Sequence, residues 1–188
     1  MINKHIILAS ASPRRRELLE SFGFDFEICR SLADENGVEN YAPQDAVTEL
    51  ALRKALWVKE RCKNNDSVIL AADTLVAIDG KLLGKPEDEE DAFRMLKGLS
   101  GTNHQVYTGY AILYGDKQIS GYECTDVFFR PLEEEEIRAY IATGEPMDKA
   151  GAYGIQEKAG IFVRRIEGDY LNVLGLPVCK IYEELKKL

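Results

Sequence analysis

The chain has 188 residues, 45% of them hydrophobic, which suits one compact domain over residues 1–188 with a sizeable core. Its 24 Lys and Arg against 32 Asp and Glu give a net charge of −8, a poor balance for general nucleic-acid binding that still allows a few converging basic groups to hold a small anion. Cys29, Cys62, Cys124 and Cys179 lack C-x-x-C spacing, and His5 and His104 stand alone, which argues against a disulfide framework, a zinc site or a Ser-His-Asp triad. The N-terminal apolar run is too short for a signal peptide and no stretch is long enough to span a membrane, so a cytoplasmic protein with neither membrane nor nucleic-acid partners is expected.

The first element is the apolar run Ile6-Ile7-Leu8-Ala9, read as a short buried strand. Ser10-Ala11-Ser12-Pro13-Arg14-Arg15-Arg16 follows and opens a helix, with Ser12 at the N-cap and Pro13 at the first helical position. A helix N-terminus presents unpaired N–H groups and partial positive charge, so serines and arginines there suit a phosphate. The turn lacks P-loop glycines, and on this stretch alone an anion site and an ordinary strand–helix connection fit equally. Phe24 to Ile28 reads as a second strand, and the polar stretch from Arg30 to Gln44, holding Asp34 and Glu35, as a loop. A helix over about 44–62 buries Val47, Leu50, Ala51, Ala55 and Val58, with Lys54 on or beside that face, either snorkelling to water or meeting an anion in a polar cavity.

Ser67 to Ala72 reads as a buried strand with Asp73 and Thr74 just beyond its end, where chemistry collects in α/β sheets. Leu75–Ile78 and Lys81–Leu83 form a hairpin about Asp79-Gly80. Lys85 is pinned between Gly84 and Pro86. A helix over 87–99 is stopped by Ser100-Gly101. Strands over 105–114 and 118–129 meet at Gly115-Asp116, and a helix follows over 133–143. The stretch 148–156, Asp-Lys-Ala-Gly-Ala-Tyr-Gly-Ile-Gln, is either a glycine-rich turn or a place where backbone approaches a ligand closely. A strand over 161–166 and a final helix from Pro177 complete the chain.

In order, the stretches SASPRRRELL, AADT, LGKP, LSG with His104 and Val106, EPMDKAGAYGIQ and NVLGLP resemble the Maf family of nucleoside triphosphate pyrophosphatases, over almost the whole chain. The resemblance implies a mixed α/β fold, with a long curved sheet flanked by helices and two lobes about a central cleft, as in Maf and ITPase-like proteins. It also implies a homodimer, a divalent metal (Mg²⁺ or Mn²⁺) and hydrolysis of the α–β phosphoanhydride of a nucleotide. Arg14, Thr74 and Gln156 match the branch that acts on dTTP and UTP and serve as its specificity residues. The 7-methyl-GTP branch carries tryptophan, glutamine and glutamate there. The family is also associated with inhibition of septum formation, so a nucleotide-binding regulator without turnover is the alternative.

These residues have chemistry to match. A triphosphate carries about four negative charges that must be neutralised. Arg14, Arg15, Lys54 and Lys85 are candidates for that clamp, Ser10 can donate to a phosphate, and Asp73 and Lys85 are the catalytic assignments. Asp73 is the candidate base for water, and Glu35 with Asp73 can hold a hard cation. Whether Asp73 is base or metal ligand alone stays open at this point. Gln156 offers one donor and one acceptor, matching O4 and N3–H of uracil or thymine.

Overall fold

The computed structural model describes residues 4–62 and 66–188. Among the described residues, seven strands form one mixed sheet. β1 (Ile6–Leu8) lies between β2 (Phe26–Ile28) and β3 (Val68–Ile78) and is parallel to both. β3 is antiparallel to β5 (Asn103–Tyr114), β5 to β6 (Lys117–Phe129), and β6 to β7 (Val163–Glu167). β4 (Lys81–Leu83) folds back on the far end of β3. Its turn, Asp79-Gly80, has φ of 50° and 74°, the left-handed pair for which Asp-Gly is favoured.

The helices are α1 (Pro13–Ser21), α2 (Pro43–Lys59), α3 (Glu89–Leu99), α4 (Glu134–Ile141), α5 (Tyr170–Val173) and α6 (Val178–Leu185). Three 3-10 segments lie between α4 and β7, at Glu145–Asp148, Ala150–Ala152 and Lys158–Phe162. Alternation along the strands sorts the core. Ile6, Leu8, Val68, Leu70 and Ala72 pack with Leu18 and Leu19 of α1 and Val178, Ile181 and Leu185 of α6. Ile7, Ile69 and Ala71 point the other way, onto Ala51, Ala55 and Val58 of α2. A further core joins Val76, Val106, Val127 and Phe129 to α3 and α4. The result is two lobes, with β3, β5 and β6 contributing to both.

Several expected boundaries move. β3 does not stop at Ala72. Its ladder with β5 runs without a break from Ile69↔Leu113 to Ala77↔Gln105, so Asp73 and Thr74 sit in mid-strand, opposite Gly109 and Thr108. Two polar side chains interrupt the apolar run without interrupting backbone pairing. Ser12 is at the N-cap of α1 with Pro13 after it, but its side chain makes no capping bond. Its N–H instead donates to Ser10 Oγ at 3.2 Å. α3 starts at Glu89 because the Asp88 carboxylate caps it, accepting from Asp91 N–H at 2.7 Å. The strand expected from Ile161 begins at Val163, since Ile161 and Phe162 close a 3-10 segment, and α5 is an element that the sequence does not announce.

Candidate active site

β5 covers one edge of β3 from Ile69 to Ala77. On the other edge β1 pairs only with Val68–Leu70 and β4 only with Val76–Ile78. Residues 71–75 therefore face a gap in the sheet, and a cleft of about 1100 Å³ opens there. Strand alternation turns Asp73 toward α2 and Thr74 toward α1, so neighbouring residues serve opposite sides of the gap.

On the α2 side, Asp73 is 8% exposed. Lys54 Nζ donates to Asp73 Oδ1 and also pairs with Glu35 Oε1 at 2.9 Å. One ammonium thus bridges a buried carboxylate from the sheet and a solvent-facing carboxylate from the 30–42 loop. Gly109 makes this approach possible. A Cβ there would lie 2.2 Å from the Val47 carbonyl oxygen, so α2 rests directly on the β5 backbone beside Asp73. Lys54 therefore points into the cavity rather than snorkelling to bulk water.

On the α1 side, Arg15 Nε donates to Gly175 O at 2.7 Å, one terminal nitrogen to Ser10 Oγ at 3.2 Å and the other to Thr74 Oγ1 at 3.0 Å. Burial pulls the Arg15 pKa down from its ordinary value, opposed by the charge of Asp73. Three of five guanidinium N–H groups are used, leaving two. Ser10 Oγ accepts twice, from Ser12 N–H and Arg15, so what it has left is its own proton to donate. The proton on Thr74 is also assigned. Thr108 donates to the Asn172 carbonyl at 2.9 Å, so it accepts from Thr74 at 2.9 Å. The order is Arg15 to Thr74 to Thr108 to Asn172, and Thr74 has no proton left for a base. Asn172, fully buried, also donates to Val106 O at 2.9 Å and Thr125 Oγ1 at 3.0 Å.

Arg14 and Lys85 line the cleft, Arg14 half-buried and Lys85 exposed. The segment after α4 forms another wall. Gly151, at φ 68°, donates to Gly84 O at 3.0 Å and docks this segment beside the Lys85 turn. Tyr153 lines the cleft and its hydroxyl hydrogen-bonds His104 Nε2 at 2.8 Å. Burial lowers the His104 pKa to about 4, so the imidazole is neutral at pH 7. Lys149, 6% exposed, binds Asp148 Oδ1 at 2.7 Å, and that bond, with the charges of Lys149 and Arg14, holds the Asp148 carboxyl below its usual range. Gln156 is exposed, directly after Ile155 of the cleft wall, and is not itself part of the lining.

Ser10, Arg14, Arg15, Glu35, Lys54, Asp73, Thr74 and Lys85 thus converge on one cleft, and Gln156 stands outside its lining. Among the described residues no three His, Cys, Asp or Glu side chains form a metal cluster, and Glu35 and Asp73 are two carboxylates meeting at one ammonium. Lys149, Thr108 and Asn172 are site residues that sequence reasoning does not single out. Lys149 and Asn172 lie in the DKAGAYGIQ and NVLGLP stretches, so motif membership is the signal available, but nothing in the order of residues marks them as buried.

The family model described as "Maf-like protein" matches residues 5–188. A dTTP/UTP pyrophosphatase of Bacillus cereus (strain ATCC 10987 / NRS 248) is 52% identical over 184 residues, covering 98% of this chain and 90% of that protein. Another dTTP/UTP pyrophosphatase, from Bacillus anthracis, is 50% identical over 184 residues, covering 98% of this chain and 95% of the relative. Among solved structures, the Staphylococcus aureus Ham1 protein superposes with a TM-score of 0.50 at 12% identity, covering 96% of this chain and 98% of that one, a likeness of fold alone. With the family match spanning nearly the whole chain and about half of the aligned positions identical to such relatives, this chain belongs to the Maf family.

Proposed function

We infer that the chain is a dTTP/UTP pyrophosphatase, converting nucleoside triphosphate and water to nucleoside monophosphate and pyrophosphate. The observation that carries this is the buried Asp73, set beside Lys54 and Glu35 in a cleft that Arg14, Arg15 and Lys85 also border. The names of the Bacillus relatives support the pyrimidine substrates.

Water attacks the α-phosphorus, the bond from that phosphorus to the α–β bridging oxygen breaks, and pyrophosphate leaves. Asp73 accepts the proton of the attacking water. Lys54 holds the Asp73 carboxylate in place and contributes positive charge beside the phosphates. Arg14 and Lys85 neutralise the triphosphate, Arg15 offers its two remaining N–H groups, and Ser10 donates its one proton. Thr74 serves the site by fixing the Arg15 guanidinium. Glu35 and Asp73, whose carboxylates already converge on one positive charge, the Lys54 ammonium, would hold a hard divalent cation, Mg²⁺ or Mn²⁺, of the kind that takes one or two protein carboxylates. Bound there, it would shield the phosphates and acidify the nucleophilic water. Gln156, at the rim, reads N3–H with its amide oxygen and O4 with its amide nitrogen.

The test is a nucleotide panel with Mg²⁺ or Mn²⁺, products resolved, on wild type and Asp73→Asn. Wild type releases pyrophosphate from dTTP and UTP. The variant loses roughly 10²–10⁴ in kcat, the range for a general base, while nucleotide affinity changes far less. Orthophosphate with a nucleoside diphosphate as products, or an Asp73→Asn variant of wild-type rate at saturating metal, overturns the assignment.

A further inference from the structure

Lys149 lines the cleft and is almost wholly buried. A buried lysine facing a nucleotide site has the look of a phosphate ligand, but its partners argue otherwise. An ammonium has three N–H groups. Lys149 donates two of them, to the Glu145 carbonyl at 2.7 Å and to Asp148 Oδ1 at 2.7 Å, and forms an ion pair with Glu157 Oε2 at 2.9 Å. Its charge is already paired with two carboxylates, Asp148 and Glu157, so it brings little of it to a phosphate.

The acceptors come from two separate segments, the 3-10 turn Glu145–Asp148 and the turn that ends at Glu157. Glu157 N–H donates to Gly154 O at 3.2 Å and closes that second turn, with Gln156 inside it. The lysine stem passes directly over Gly154, where a Cβ would lie 2.9 Å from Lys149 Cε. Gln156 itself is exposed, so its direction depends on how its turn is held. A second tie, Lys158 Nζ to Glu145 Oε1 at 3.0 Å, is 64% exposed on the lysine side and correspondingly weak.

We propose that Lys149 is a positioning residue for base recognition, tying the 154–157 turn to the 145–148 segment so that Gln156 meets the pyrimidine edge. The proposal rests on the base-reading role given to Gln156 above. It is tested by kcat and KM for dTTP, UTP and GTP, under one metal, for wild type, Lys149→Met, Glu157→Gln, Gln156→Glu and the Lys149→Met/Gln156→Glu double variant.

Gln156→Glu should lower the dTTP-to-GTP ratio of kcat/KM by roughly 5-fold or more, as expected when a carboxylate oxygen faces O4 of the bound base in place of a donor. Lys149→Met should lower it by a similar factor, with the loss in KM for dTTP and kcat nearly kept. Glu157→Gln should move the ratio the same way by less. The double variant should fall no further than the larger single change, because a misplaced turn leaves Gln156 nothing to read. A merely structural lysine would instead lower the melting temperature and scale all three nucleotides alike, and that result overturns the proposal. If Lys149→Met does not fold, Glu157→Gln decides by the same ratio. A ratio moved by Gln156→Glu but by neither Lys149→Met nor Glu157→Gln overturns the positioning role alone. A ratio that Gln156→Glu leaves unmoved overturns base reading and the proposal together.

Discussion

Gly109→Ala adds one carbon to the sheet and should impair the site from behind. The added Cβ would stand 2.2 Å from the Val47 carbonyl oxygen, where ordinary contact begins near 3.4 Å. The atoms it meets are backbone, so no side chain can swing aside, and α2 must back away from β5 by about 1 Å. Overpacking of this kind costs about 1–3 kcal/mol, which in a chain of this length lowers Tm by roughly 2–12 °C. The same displacement carries Lys54, seven residues along α2 from Val47, away from Asp73. A misplacement near 1 Å can cost roughly 10²-fold in rate. Gly98→Ala in α3 is the matched control, since nothing lies within 4 Å of its added carbon. It should stabilise by about 0.5–1 kcal/mol with dTTP turnover unchanged. Thermal melts and steady-state rates on both variants check the pair. If Gly109→Ala melts and turns over dTTP like wild type, direct seating of α2 on the strand backbone is not what places Lys54.

Thr74→Val removes the link between Arg15 and Thr108, leaving a guanidinium N–H and a buried hydroxyl oxygen without their partner. A loss of about 1–3 kcal/mol is expected by urea titration, and Thr74→Ser, which keeps the hydroxyl, should recover most of it. His104 gives a pH signature. Its folded pKa of about 4 lies below the ordinary 6.5, so on acidification the unfolded chain takes up the proton first. Its contribution is complete above about pH 6.5 and is lost progressively down to about pH 4, in total about 3 kcal/mol. The difference in unfolding free energy between wild type and His104→Gln, followed from pH 7 to 4, should shrink by an amount of that order. A constant difference would mean that His104 takes up no extra proton on unfolding.

Where a segment's own residues decide its structure, the sequence is readable. Val47, Leu50, Ala51, Ala55 and Val58 mark the buried face of α2, and all five are buried. Asp79-Gly80 marks a tight turn, and Pro13 the start of α1. Legibility fails where a distant partner decides. Asp73 and Thr74 end an apolar run, but β5 supplies pairing partners that carry the strand through them. Arg15 looks like a free clamp in sequence, yet its Nε is held by a carbonyl 160 residues away. Nothing in the order Asp148-Lys149-Ala150 marks this lysine as buried, and its partners Glu145 and Glu157 lie four residues before it and eight after it. Most of the site residues are visible by their chemical type, whereas their hydrogen-bond commitments are not.

The strands β3, β5 and β6, common to both lobes, have a mechanical consequence. Domains that close over a ligand swing on a few loop residues that absorb the change in backbone angle. Here three laterally bonded strands run from one lobe into the other, so parting the lobes means flexing them together, as one would a leaf spring rather than a door. Asp73, the carboxylate proposed as the base, sits on one of the leaves. Any stiffness of that sheet is therefore felt at Asp73 itself.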